Sequence, residues 1–76
     1  VTLCVTCINR VGMLADLSGQ LANMHVMIHS IFTKETKDGR SAIYLTITVN
    51  SAEHLRSVGD KLKKIKGVLE VERSGL

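Results

Sequence analysis

From its first residue the chain alternates apolar and polar positions, with Val1, Leu3, Val5 and Cys7 set against Thr2, Cys4 and Thr6. A period of two sends successive side chains to opposite faces of a strand, so residues 1–8 read as a half-buried strand. The period then lengthens. Met13, Leu14, Leu17, Leu21 and Met24 recur at spacings of three and four, which makes one apolar stripe on a helix, with Asp16, Gln20 and Asn23 turned to water. Residues 26–35 (VMIHSIFTKE) are rich in β-branched and apolar types and predict a second strand. Within Thr36–Arg40, the pair Asp38-Gly39 marks a hairpin, because a tight turn needs positive φ and glycine adopts it cheaply. The third strand, 41–49, is the clearest: Ile43, Leu45, Ile47 and Val49 alternate with Tyr44, Thr46 and Thr48.

Asn50 or Ser51 then caps a second helix, with Glu53 three residues after Asn50 as in a capping box. Ala52, Leu55, Val58, Leu62 and Ile65 form its apolar stripe, and Gly67 stands where a helix C-terminus takes a left-handed residue. Residues 68–73 (VLEVER) predict a short last strand with Leu69 and Val71 on the core face. The order is βαββαβ. Two helices with one apolar stripe each cannot cover both faces of a four-stranded sheet, so they pack on one. The prediction is a two-layer α+β sandwich of the ferredoxin-like type, with an antiparallel sheet and right-handed crossovers. Its core comprises Leu3, Val5, Leu14, Leu17, Leu21, Ile43, Leu45, Ile47, Leu55, Val58, Leu62 and Val71. Strands two and four lie at the edges, and one face of the sheet stays open.

Seventy-six residues suffice for a single domain, spanning 1–76. A chain this small buries only about 60–65% of its unfolded surface and gains from a partner. A homo-oligomer is therefore expected, through the long second strand or the open sheet face. The chain is 45% hydrophobic and 22% charged, as in ordinary globular domains. No apolar run approaches the roughly 18 residues of a membrane span, and no signal peptide is visible. The start within a strand pattern, without Met, leads us to expect a domain cut from a longer protein. Cys4 and Cys7 form C-V-T-C, but positions three apart on a strand face opposite ways and share no metal ion, and no helix start adjoins them to activate a redox thiolate. Reduced thiols and a cytoplasmic location are the expectation. The net charge of +3 is uneven, with Arg56, Lys61, Lys63, Lys64 and Lys66 crowded together. Such a face is either a solvated helix surface or a contact for RNA or an acidic partner.

Between the first strand and the first helix lies Asn9-Arg10-Val11-Gly12-Met13-Leu14 (NRVGML), followed further on by Val26-Met27-Ile28. With the βαββαβ order, these residues resemble an ACT domain, the small-molecule-sensing module attached to many metabolic enzymes. The resemblance spans nearly all of the chain. The stretch HLRSVGDKLKKIKGVLEVER (54–73) is most similar to the C-terminal ACT domain of the long Rel-type GTP pyrophosphokinases, which make and hydrolyse guanosine tetra- and pentaphosphate in the stringent response. The resemblance implies a regulatory domain at the C-terminus of a larger enzyme, without cofactor or metal. It implies that an amino acid binds beside the NRVGML loop, at an interface between two domains, and modulates that enzyme. The alternatives are an ACT domain of another enzyme of amino-acid metabolism, or a contact module for protein or ribosomal RNA with no small ligand. Asn9 and Gly12 match the family loop and Arg10 fits it. Val11 stands where the family usually has Pro, and Met27 where amino-acid-binding members often have Asn, a change that leaves an apolar, branched-chain ligand as the expectation. The candidate ligand-binding residues are Asn9, Arg10, Val11, Gly12, Met13, Leu14 and Met27.

The chemistry of the loop agrees. N–H groups at the start of a helix have no intrahelical partners, so a carboxylate placed there gains hydrogen bonds and the helix dipole. Asn9 either contacts such a ligand or caps the turn with its side chain, and Arg10 is either a clamp or an exposed charge. RNA-recognition motifs share the βαββαβ order, but they stack bases on aromatics of the two central strands. Here strand one has none and strand three only Tyr44. His25, His29 and His54 are scattered, with no nucleophile and base at a useful spacing, so this chain is not expected to be an enzyme itself.

Overall fold

The computed structural model describes residues 1–36 and 38–74; Lys37, inside the predicted hairpin turn, and the last two residues of the predicted 1–76 domain lie outside them. The elements are β1 (Thr2–Ile8), α1 (Met13–Asn23), β2 (Ile28–Glu35), β3 (Arg40–Ile47), α2 (Ala52–Lys63) and β4 (Val68–Ser74). The strands form one sheet in the order β2-β3-β1-β4, with every neighbouring pair antiparallel. This is the ferredoxin-like sandwich that the periodicity predicts, with β2 and β4 at the edges.

Alternation places Leu3, Val5 and Cys7 of β1 and Ser41, Ile43, Leu45 and Ile47 of β3 on one face. There they are buried together with Met13, Leu17 and Leu21 of α1 and Val58 and Leu62 of α2. The intervening positions, Thr2, Cys4, Thr6, Ala42, Tyr44 and Thr46, are half-buried on the opposite, uncovered face. The two thiols thus stand on opposite sides of the sheet.

Four predicted core positions differ. Leu14 is 45% exposed, because the buried line of α1 runs Met13, Leu17, Leu21 and its neighbour lies about 100° round the helix. Leu69 is 50% exposed. Thr6 pairs with Glu70 but Cys7 with Val68, so a bulge leaves Leu69 without a residue opposite and turns both Val68 and Val71 toward the core. Leu55 and Val71 are half-buried, at the margin where α2 covers the β4 edge.

The termini of the helices also differ in detail. Ser51, not Asn50, is the N-cap of α2, and its hydroxyl accepts the His54 N–H at 3.0 Å. His54 Nδ1 in turn accepts the Asn50 N–H at 3.0 Å, so His54 fills the role that the sequence assigns to Glu53. The C-cap of α2 is Lys64, and Gly67, with φ 95°, follows three residues later in the turn to β4. At the end of α1, the His25 N–H reaches Ala22 O (3.0 Å) and the Val26 N–H reaches Leu21 O (2.9 Å), the two bonds of a Schellman motif. Val26 is thereby buried as the apolar residue that closes it. The left-handed position of that motif is His25, at φ 55°. His25→Gly is expected to stabilise the domain by about 0.5–1 kcal/mol, since an L-residue is strained there and glycine is not. Urea unfolding checks it, and a loss of stability would contradict the assignment.

Candidate functional site

The joint between β1 and α1 is held from several directions. The Ile8 N–H donates to Gly67 O at 2.8 Å and the Asn9 N–H to Gly39 O at 2.9 Å, tying the end of β1 to the loops on either side. The Arg10 guanidinium donates from Nε to Lys66 O (2.9 Å), from Nη1 to Val11 O (3.2 Å) and from Nη2 to Asp16 Oδ2 (2.6 Å). These bonds take one N–H from each guanidinium nitrogen, so Arg10 braces the joint against the α2–β4 turn. Gly67 permits that closeness: a Cβ there would lie 2.9 Å from Met13 Cε and 3.2 Å from Arg10 Nε.

Gly12 is the N-cap of α1 at φ 87°, with no side chain capping the helix. Its need for glycine is conformational, since a Cβ would meet nothing nearer than Arg10 Nη1 at 3.7 Å. The Met13 N–H turns back to Arg10 O at 3.3 Å, and the Asp16 N–H makes the first helical bond to Gly12 O at 2.9 Å. The Leu14 and Ala15 amides between them sit at the positive end of the helix dipole with no earlier turn to bond to.

Beside this helix start lies a hollow of about 400 Å³. The joint and α1 contribute Asn9, Arg10, Gly12, Met13, Leu14 and Ala15; the sheet contributes Cys7, Thr33, Glu35, Ser41 and Ile43. Strand register explains the second set. Glu35 pairs with Ser41 and Ser41 with Cys7, while Thr33 pairs with Ile43, so three strands present one end of the helix-covered face to the loop. Asn9 Nδ2 donates to Glu35 Oε1 at 3.4 Å, so the Asn9 side chain spans the rim and does not cap the turn. On the floor, burial pushes the Cys7 thiol above its ordinary pKa, against the pull of the Arg10 charge, and the protonated thiol donates to Ser41 O at 3.6 Å. Ser41 is 3% exposed, and its hydroxyl has no hydrogen-bond partner among the described residues.

Of the predicted ligand-binding residues, Asn9, Arg10, Gly12, Met13 and Leu14 line the hollow. Val11 is fully exposed and Met27 is 65% exposed, and both side chains lie away from it. Of the lining residues that sequence reasoning missed, Cys7 and Ala15 flank the joint in the chain, whereas Thr33, Glu35, Ser41 and Ile43 carry no local motif and come to the loop only through strand pairing. The basic cluster divides. Arg56, Lys61 and Lys64 share a shallow depression with Glu53 and Asp60, whereas Lys66 lies beside α1 with Asp16. The histidines are separate: His25 ends α1, His29 bonds Thr48, and His54 caps α2. Among the described residues there is no His, Cys, Asp and Glu group able to hold a metal ion, and no helix long and apolar enough to cross a membrane.

The βαββαβ sandwich and its braced loop form one ferredoxin-like unit, and the family profile of the ACT domain matches residues 1–73. The chain belongs to the ACT domain family. In structure it is similar to the ACT domain from the GTP pyrophosphokinase of Chlorobium tepidum, with 29% identity and a TM-score of 0.81 over 96% of this chain and 94% of that one. A solution structure of that Chlorobium domain gives 28% identity and a TM-score of 0.80, covering 99% and 84%. It is also similar to part of a homoserine dehydrogenase from Thiobacillus denitrificans, at 25% identity and a TM-score of 0.77, covering 95% of this chain and 16% of that one. Comparison with curated protein sequences gives no match.

Proposed function

We propose that this ACT domain senses a small, apolar free amino acid in the hollow beside Asn9–Ala15 and, as part of a GTP pyrophosphokinase, adjusts the balance between synthesis and hydrolysis of guanosine tetraphosphate. The observation that carries the proposal is the pairing, across one hollow of about 400 Å³, of an uncapped helix start with the Glu35 carboxylate. An α-carboxylate is stabilised at the Leu14 and Ala15 amides, an α-ammonium at Glu35, and a branched side chain against Met13, Leu14 and Ile43. Leu14 supplies an exposed apolar wall, which a second domain set against the loop would cover. The higher identity and TM-score to the Chlorobium domain, 29% and 0.81 against 25% and 0.77 for the dehydrogenase, favour a GTP pyrophosphokinase as the parent.

The test is an NMR titration of the domain with valine, isoleucine, leucine and serine. The branched-chain amino acids are expected to shift residues 9–15, 33–35 and 41–43 with dissociation constants of about 10 μM to 1 mM, and serine more weakly. Glu35→Gln is expected to weaken binding about tenfold by removing the partner of the ammonium. If none of the four ligands shifts these resonances at several millimolar, the hollow is not an amino-acid site.

A further inference from the structure

The uncovered face of the sheet carries its charges in an ordered way. Paired residues in neighbouring strands share a face, so the registers set the side chains in rows running from β2 through β3 and β1 to β4. One row is Lys34, Ala42, Thr6, Glu70; the next is Phe32, Tyr44, Cys4, Glu72; the third is Ser30, Thr46, Thr2, Ser74. Lys34 thus stands on one edge strand and both carboxylates on the other, while Arg40, opposite Ile8 at the start of β3 on the same face, is already paired with Asp38 at 3.5 Å. Between the edge strands the residues of these rows are small except for Tyr44, whose ring centre is 6.0 Å from that of Phe32, and Phe32 is itself 62% exposed. Among the described residues Lys34, Glu70 and Glu72 form no ion pair. The hydrogen bond with Glu70, and then the Glu70 charge, hold the Glu72 carboxyl above the usual carboxylate range. Two crowded acids without a cation are stabilised by one brought from outside.

We propose that this face packs against the same face of a second copy of the chain, about a two-fold axis parallel to the strands, so that Lys34 of each copy meets Glu70 and Glu72 of the other. Such an axis reverses the strand order, laying β2 over β4 and β3 over β1 of the second copy, and it keeps each row over itself. Lys34 then lies over Glu70, and Tyr44 over the small Cys4. An axis running across the strands instead lays β2 over β2 and β4 over β4, bringing like charges together. Antiparallel pairing through the β2 edge leaves the two glutamates unneutralised. A single-stranded nucleic acid stacked on Phe32 and Tyr44 would run its phosphates past them. A second copy answers all three charges at once.

Four strands about 4.8 Å apart and some 24 Å long offer roughly 450 Å² per partner, which lies at the low end for a specific interface. The association is accordingly weak, with a dissociation constant of about 10 μM to 1 mM. The proposal is independent of the amino-acid site, which lies on the other side of the sheet.

Sedimentation equilibrium on the 76-residue chain tests it, with Lys34→Glu, the double variant Glu70→Lys/Glu72→Lys, and an equimolar mixture of the two. All three substituted residues lie on the strand surface, and amide spectra establish that each variant is folded. Wild type is expected to dimerise, and each variant alone to associate at least about tenfold more weakly, because like charges then meet. The mixture is expected to recover wild-type association, since in the heterodimer both charge clusters are again opposite in sign. A wild-type chain that stays monomeric at millimolar concentration would overturn the proposal. So would variants that associate like wild type, as edge pairing requires, a mixture that recovers nothing, or a single-stranded RNA that shifts Phe32 and Tyr44 in a chain that does not self-associate.

Discussion

Leu17→Ala is expected to lower the free energy of unfolding by about 2–5 kcal/mol. Leu17 is fully buried, at the centre of the line along which α1 meets the sheet. A domain of this size has a total stability of roughly 4–11 kcal/mol, so one truncation removes a large share of it. Leu14→Ala, three residues away on the same helix, removes a side chain that is 45% exposed, and is expected to cost under about 1 kcal/mol. Urea unfolding of the two variants gives the comparison, with an unchanged denaturant slope as evidence that only stability has moved. Equal costs would mean that the buried face of α1 is misassigned.

Gly67→Ala is expected to cost about 2–3 kcal/mol, against about 1–2 kcal/mol for Gly39→Ala. Both glycines have positive φ, at 95° and 79°, and both substitutions meet the same conformational strain. They differ in surroundings. A Cβ at residue 39 enters open space, whereas one at residue 67 lies 2.9 Å from Met13 Cε and 3.2 Å from Arg10 Nε. Met13 is buried and the Arg10 Nε is committed to Lys66 O, so both must shift. Met13 and Arg10 also line the hollow. Gly67→Ala is therefore expected to move the amide resonances of residues 10–15 and to weaken amino-acid binding, while Gly39→Ala, whose carbonyl accepts the Asn9 N–H, moves that amide and leaves residues 10–15 in place. Equal stability costs and unmoved loop resonances would show that the two loops are not braced together.

The order of elements was legible because each rests on a local period. Alternation in residues 1–8 and 41–49 fixes which side chains share a face whatever the strands pair with, and the stripes at Leu17, Leu21, Val58 and Leu62 do the same for the helices. Ambiguity was confined to places where a distant partner decides. The strand period put Leu69 beside Val71 on the core face, but a bulge opposite Thr6 and Cys7 turned Leu69 outward, and that bulge is a property of the β1–β4 pairing. The reach of Arg10 to Lys66 likewise spans 56 residues of sequence.

The candidate site divides along the same line. The sequence alone located the Asn9–Leu14 joint, because a glycine at a strand-to-helix turn is a local feature, whereas the structure decided that Asn9 turns to Glu35 and leaves the helix start uncapped. The tertiary structure decided what faces it: Thr33, Glu35, Ser41 and Ile43 arrive through the pairing of β2 with β3, while Val11 and Met27 turn away. The same holds for the open face, where Lys34, Glu70 and Glu72 are unremarkable in the chain and become an ordered charge pattern only once the strands are in register. Periodicity is set by neighbours along the chain, and register by hydrogen bonds between segments far apart in it.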